Sequence, residues 1–184
     1  MMWSLPISVE IDGKEYEIRN KCDYRVVLDV ISALNDEELE MQYRLECALF
    51  IFYEDLTGLK DIQTAITEMM KIINLGEETT EEEQHKPQLM DWEHDFPQIA
   101  PPISRILGFD VRTPDKYVHY WTFIGAYMEI GECTFNNIIS IRNKRAKGKP
   151  LEKWEEEFFR ENYRMVNLPN NLTTEETEWL FSDE

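Results

Sequence analysis

Asp91, Glu93, His94 and Asp95 form the densest group of proton- and metal-handling side chains in this chain, with His85 a few residues away. Ligands on one helix face must be three or four residues apart, and Asp91 meets that rule with His94 or Asp95. A solvated helix start has the same composition, because carboxylates suit the positive end of the helix dipole. The second reading is the expected one, with no metal site. His119 has the near-neutral titration that general-base work requires. Its sequence neighbours are aromatic, however, and no GxSxG, HExxH or glycine-rich phosphate loop occurs in the chain. A packed histidine is expected there, and neither an enzyme nor a cofactor is expected overall.

Arg142, Lys144, Arg145, Lys147 and Lys149 are the one basic cluster. Three readings stand side by side. Cations stabilise a helix C-terminus; they form a docking surface for an acidic partner or for this chain's own acidic segments; or they meet phosphate. The last needs a basic domain with stacking aromatics. The net charge of −18 argues against that, as it does against an anionic lipid surface. No nucleic acid and no membrane are therefore expected as partners. The three cysteines, Cys22, Cys47 and Cys133, are odd in number and lack a CxxC pair, so reduced and buried thiols are expected. The opening MMWSLPISVEIDG has neither the basic start nor the apolar stretch of a signal peptide.

These side chains must be carried by a mainly α, bundle-like single domain over 1–168 with an N-terminal β-hairpin at 7–18. In the hairpin, Ile7, Val9 and Ile11 alternate, as do Tyr16 and Ile18, around the turn-forming Asp12-Gly13. That turn predicts Val9 opposite Tyr16, Ile7 opposite Ile18, and Glu10 opposite Glu15 on a wet face. Helical spacing then predicts a helix capped by Asp23 and carrying Val26, Val27, Val30, Ile31 and Leu34. The next, capped by Asp36, has Met41, Leu45, Ala48, Leu49, Phe52 and Leu56 on one stripe, with Cys47 to Tyr53 deep inside. A third has Ile62, Ala65, Ile66, Met69 and Ile73.

An acidic loop at 77–87 follows, without an apolar residue. Leu89, Trp92, Phe96, Ile99, Ile103 and Leu107 keep a helical rhythm that Pro97 and Pro101-Pro102 interrupt, predicting two short helices or a kinked one. Thr113-Pro114 reads as the start of an apolar helix running to about Ile130. Thr134 reads as the cap of the next helix, and Leu151, Trp154, Phe158, Met165 and Val166 as the inner side of the last. An acidic tail, 169–184, carries Trp179, Leu180 and Phe181. It has two readings: it folds back onto the domain, or it docks into a groove on another protein.

The C-terminal third also carries a family pattern. It runs through His119-Tyr120-Trp121-Thr122-Phe123, then Gly131-Glu132-Cys133, then Ile141-Arg142-Asn143-Lys144 on to Gly148-Lys149, and the helix from Leu151. In this the chain resembles the bacteriophage "gene product fifteen" family of long-tailed phages and prophages of Gram-positive bacteria. The resemblance implies a tail assembly chaperone, absent from the virion, that works in the host cytoplasm. Its implied partners are the tape measure protein, the major tail protein, or both, with homo-oligomerisation open. A structural virion protein, such as a head–tail connector or tail-completion subunit, is the alternative. Candidate partner-binding residues are Tyr117, Tyr120, Trp121, Tyr127, Arg142, Lys144, Arg145, Trp179, Leu180 and Phe181.

Overall fold

The computed structural model describes residues 4–77 and 87–168, and it is mainly helical. Strands β1 (Ser8–Ile11) and β2 (Lys14–Glu17) pair antiparallel, with Val9 facing Tyr16 and Glu10 facing Glu15, in the expected register. Asp12 and Gly13 both take positive φ (52° and 73°), the turn geometry that matches strand twist. The Ile18 N–H donates to Ile7 O. Val9, Ile11, Tyr16 and Ile18 are buried, while Glu10 and Glu15 are exposed. A two-stranded hairpin needs something to lie on, and here it lies on the helices. Ile18 bridges to Tyr53, Glu54 N–H donates to Glu17 O, and Arg19 donates to the carbonyls of Phe50, Ile51 and Tyr53. Those last bonds satisfy carbonyls that a helix C-terminus leaves orphaned.

Among the described residues eight α-helices follow: α1 (Tyr24–Asn35), α2 (Met41–Phe52), α3 (Ile62–Ile73), α4 (Trp92–Leu107), α5 (Tyr120–Met128), α6 (Thr134–Ala146), α7 (Lys153–Glu161) and α8 (Tyr163–Val166). Asp23 caps α1 as expected, accepting from Arg25 N–H. Several boundaries differ from the sequence expectation. Asp36 ends α1 rather than starting α2, whose N-cap is Glu40. Thr134 is the first residue of α6 and the cap is Cys133. Thr113-Pro114 does not begin a helix. Arg25 reaches from α1 and binds the carbonyls of Val111, Thr113 and Lys116, holding 111–116 as irregular chain, and α5 starts only at Tyr120 with His119 as its cap.

The prolines break nothing, as α4 runs on through Pro97, Pro101 and Pro102. Its inward stripe, Asp95, Ile99, Pro102 and Ile103, is buried, and that packing outweighs the lost backbone bonds. Glu93 and Pro97, the residues four before Pro97 and Pro101, are exposed, so their unpaired carbonyls have access to water.

The larger core draws on the hairpin and on α1 to α6. At its centre Tyr24 and Phe123 stack with centroids 4.3 Å apart, and Phe96 and Trp92 flank the pair. A second, smaller cluster consists of Ile138, Ile141 and Val166 with Leu151, Phe158, Phe159 and Met165 around them. The expected last helix is two pieces, α7 and α8, separated at Asn162. Trp154, expected inside, is 47% exposed, and Glu155 is buried in its stead. The tail 169–184 with Trp179, Leu180 and Phe181, and nearly all of the acidic loop, lie outside the described residues.

Candidate functional site

Three of the residue groups that could do chemistry are used to hold the fold. Arg142 is the clearest. Its guanidinium meets Asp95 with two bonds (2.7 and 2.8 Å), and its remaining N–H groups go to the carbonyls of Leu89 (2.9 Å), Met165 (3.0 Å) and Val166 (2.6 Å). A guanidinium has five N–H donors in a fixed fork, and all five are engaged. Asp95 is 0% exposed and Arg142 7%, and Asp95 also accepts from Asp91 N–H. The pair joins α4, α6, α8 and the chain entering α4. The expectation that Arg142 binds a partner is therefore corrected: its charge is spent internally, on one of the chain's own acids.

Lys144 and Arg145 also meet partners within the chain, whereas Lys147 and Lys149 are exposed. Lys144 lies 2.7 Å from both oxygens of Glu155, and this contact raises its pKa above the ordinary value. Burial opposes ionisation of Glu155, but the Glu152 N–H and the Lys144 ammonium outweigh it and hold its carboxyl below the usual range. Arg145 is exposed yet lies over the Phe159 ring at 4.3 Å and donates to Asn167. Asp91 is the N-cap of α4, accepting from His94 N–H at 2.8 Å. Among the described residues no group of three or more His, Cys, Asp or Glu converges on a point.

His119 is 2% exposed. Its Nδ1 accepts from Trp121 N–H (3.1 Å), so Nε2 carries the proton and donates to Pro6 O (2.8 Å). Burial holds its pKa below the ordinary value, against the opposing pull of the Pro6 carbonyl. Its partners are backbone groups, the environment of a structural imidazole that caps α5 and pins the chain leading into the hairpin.

The aromatic candidates divide. Tyr120 is buried and donates to Ile73 O, and burial pushes its hydroxyl up to about 12, so the expectation of a partner contact there is corrected. Trp121 and Tyr127 are half-buried, with Trp121 donating to Ile72 O and Tyr127 to the Met90 sulfur. Tyr117 is 53% exposed, its hydroxyl donating to Lys21 O.

Among the described residues, two surfaces with apolar side chains open to solvent stand out. The first is the outer face of α2. Tyr43, Cys47 and Phe50 repeat at i, i+4 and i+7, which places them in one stripe, and Phe50 is 69% exposed. This overturns two expectations, that Cys47 to Tyr53 sits deep throughout and that the thiols are all buried. A helix with apolar residues on two faces can give only one to a core. Of the stripe expected on one face, Met41, Leu45, Ala48, Leu49, Phe52 and Leu56, only Ala48, Leu49 and Phe52 are buried within α2, Met41 is exposed and Leu56 lies beyond the helix; the second stripe is the signal for an outward face. The second surface is an open groove of about 1570 Å³ between α1 and the start of α4. Its floor is Leu28, Ile31, Leu34, Met90, Trp92 and Phe96, and Leu168 belongs to its lining.

A family profile described as "Bacteriophage Gp15 protein" matches residues 1–168. The chain belongs to this family. It is a bacteriophage protein, and the match takes in every described element from the hairpin to α8. Neither a curated protein nor a solved structure matches it. No helix among the described residues is long and apolar enough to cross a membrane.

Proposed function

We propose that this phage protein is a tail assembly chaperone that binds the tape measure protein, the tail tube subunit, or both, in the host cytoplasm. One observation carries the reading beyond the family: a strongly acidic chain presents an unpartnered apolar stripe, Tyr43–Cys47–Phe50, along a well-packed helix. Stripes at this spacing receive the apolar face of another helix. A tape measure protein is long, helical and apolar, and needs cover before the tube encloses it. The charge of −18 keeps the complex soluble. Only two aromatic rings and a thiol line the stripe, so the contact is weak enough for tube subunits to displace it.

The test is co-expression with a tape measure protein, comparing the chain with its Tyr43→Ser/Phe50→Ser variant. The soluble fraction of the tape measure protein is expected to rise with the first and to stay at baseline with the second. Equal solubility with and without the chain refutes the reading. So does stoichiometric chain in purified virions, which instead supports a connector or completion subunit.

A further inference from the structure

From the groove between α1 and the start of α4 we infer a docking site for a basic amphipathic helix of a partner protein. The guest lays its apolar stripe on the groove floor and its cations against the acidic rim. The inference does not rest on the chaperone reading, because Tyr43, Cys47 and Phe50 take no part in this groove.

The floor is spaced as a helix seat. Leu28, Ile31 and Leu34 follow one another at i, i+3 and i+6 along α1, and Trp92 and Phe96 stand at i and i+4 on α4. All five are half-buried over the main core and line the open volume of about 1570 Å³. Rows at these spacings on two neighbouring helices receive the i, i+3, i+4 and i+7 anchors of a third. With 12 residues, α1 is about 18 Å long. A guest helix of about three turns covers that length.

The rim sets the charge of the guest. Asp29, Asp36, Glu37, Asp91 and Glu93 line the groove, against Arg25, Arg44 and Arg112. The three arginines already have partners. Arg25 meets Asp23 and the carbonyls of Val111, Thr113 and Lys116. Arg112 meets Asp110 with two bonds (2.9 and 2.8 Å), and Arg44 donates to Leu39 O (2.7 Å). Among the described residues, the carboxylates of Asp29, Glu37 and Glu93 make no hydrogen bond or ion pair. The last turn of α1 has no basic residue either, so its negative end adds to Asp36 and Glu37. A lysine- or arginine-bearing guest supplies the cations this rim lacks.

Charge also rejects the other classes of occupant. Nucleic acid and anionic lipid would meet like charge. A second copy carries the same −18, and its basic cluster has Arg142 on Asp95 and Lys144 on Glu155. A cationic helix is instead drawn in by the field of the whole chain and held by the floor.

The experiment titrates the isotope-labelled full chain with a synthetic peptide of about 15 residues, long enough to span α1. It carries leucine and phenylalanine at i, i+3, i+4 and i+7 and lysine elsewhere. Amide shifts are expected to concentrate at 28–34 and 90–96. A twin with glutamate for lysine, and a scrambled peptide of the same composition, are expected to leave those amides still. The variant Asp29→Asn/Glu37→Gln/Glu93→Gln removes no bond among the described residues. It is expected to bind the lysine peptide about tenfold more weakly, the factor for 1.4 kcal/mol shared by three rim pairs. Tyr43→Ser/Phe50→Ser is expected to bind it as the parent does, which separates failure here from failure of the chaperone reading. Absence of shifts at the groove overturns the proposal. So do shifts spread over the acidic surface with the rim variant binding within about twofold of the parent, which is adsorption by charge alone. Equal binding of the glutamate twin overturns it too. Groove amides that move with protein concentration before any peptide is added assign the groove to a second copy and equally overturn it.

Discussion

Replacing Arg142 with methionine keeps much of the side-chain length and removes every donor. Asp95, 0% exposed, would keep one bond, from Asp91 N–H. The carbonyls of Leu89, Met165 and Val166 would lose their guanidinium donors. Breaking a buried pair from one side costs about 3–5 kcal/mol, because a charge is left desolvated and unpaired. In a chain of this size each kcal/mol moves the melting temperature by about 2–4 °C, so a fall of about 6–20 °C is expected. Calorimetry measures it, and urea titration by circular dichroism gives the free energy.

The double variant Arg142→Met/Asp95→Leu separates the stranded charge from lost packing. It should be more stable than the single variant by at least about 1 kcal/mol, since the lone carboxylate is gone. It should still lie below the parent chain, because each stranded carbonyl costs about 1–3 kcal/mol. The loss should also be local: exchange in α8, which the arginine holds through Met165 and Val166, should rise more than in α3. A single variant less than about 1 kcal/mol below the parent, or a double variant no better than the single, refutes the claim that this pair latches the C-terminal helices.

Further outcomes follow from the same structure. His119 has a folded pKa below its unfolded one, so the unfolded state binds the extra proton first. Its contribution is complete above pH ~6.5 and is lost as pH falls from there towards the folded value. Urea midpoints between pH 7 and 5 should drop in the parent chain and flatten in His119→Asn. In the native protein Cys47 should react promptly with a thiol reagent and Cys133 more slowly. Cys22, 0% exposed and pushed up to about 12 by burial, should react only on unfolding. Gly108 ends α4 at φ +78° with open space where a Cβ would go, so Gly108→Ala should cost about 1 kcal/mol through backbone strain alone. Chemical denaturation checks it.

Local rules made part of this molecule legible in advance. Asp12-Gly13 determined the hairpin register, since positive φ at two adjacent positions allows one pairing and a period of two then assigns each face. The spacing of Ile62, Ala65, Ile66, Met69 and Ile73 marked α3, although Ile62 is exposed and Ile72 is the buried residue of its last turn, and the pattern from His119 onward placed the family. Local rules failed where a distant partner decides.

Nothing near Arg142 says that it meets an acid 47 positions away, and without that partner it reads as a surface cation. The three prolines in α4 argue for a break until the stripe from Asp95 to Ile103 is seen buried against the rest. α2 has apolar residues all round, so its sequence cannot say which stripe faces water. That is set by where the hairpin and α1 pack, and they leave Tyr43, Cys47 and Phe50 outside. Periodicity records what each residue could bury. Which of them is buried depends on surfaces that meet only when segments far apart in the chain come together, and burial is a property of that meeting.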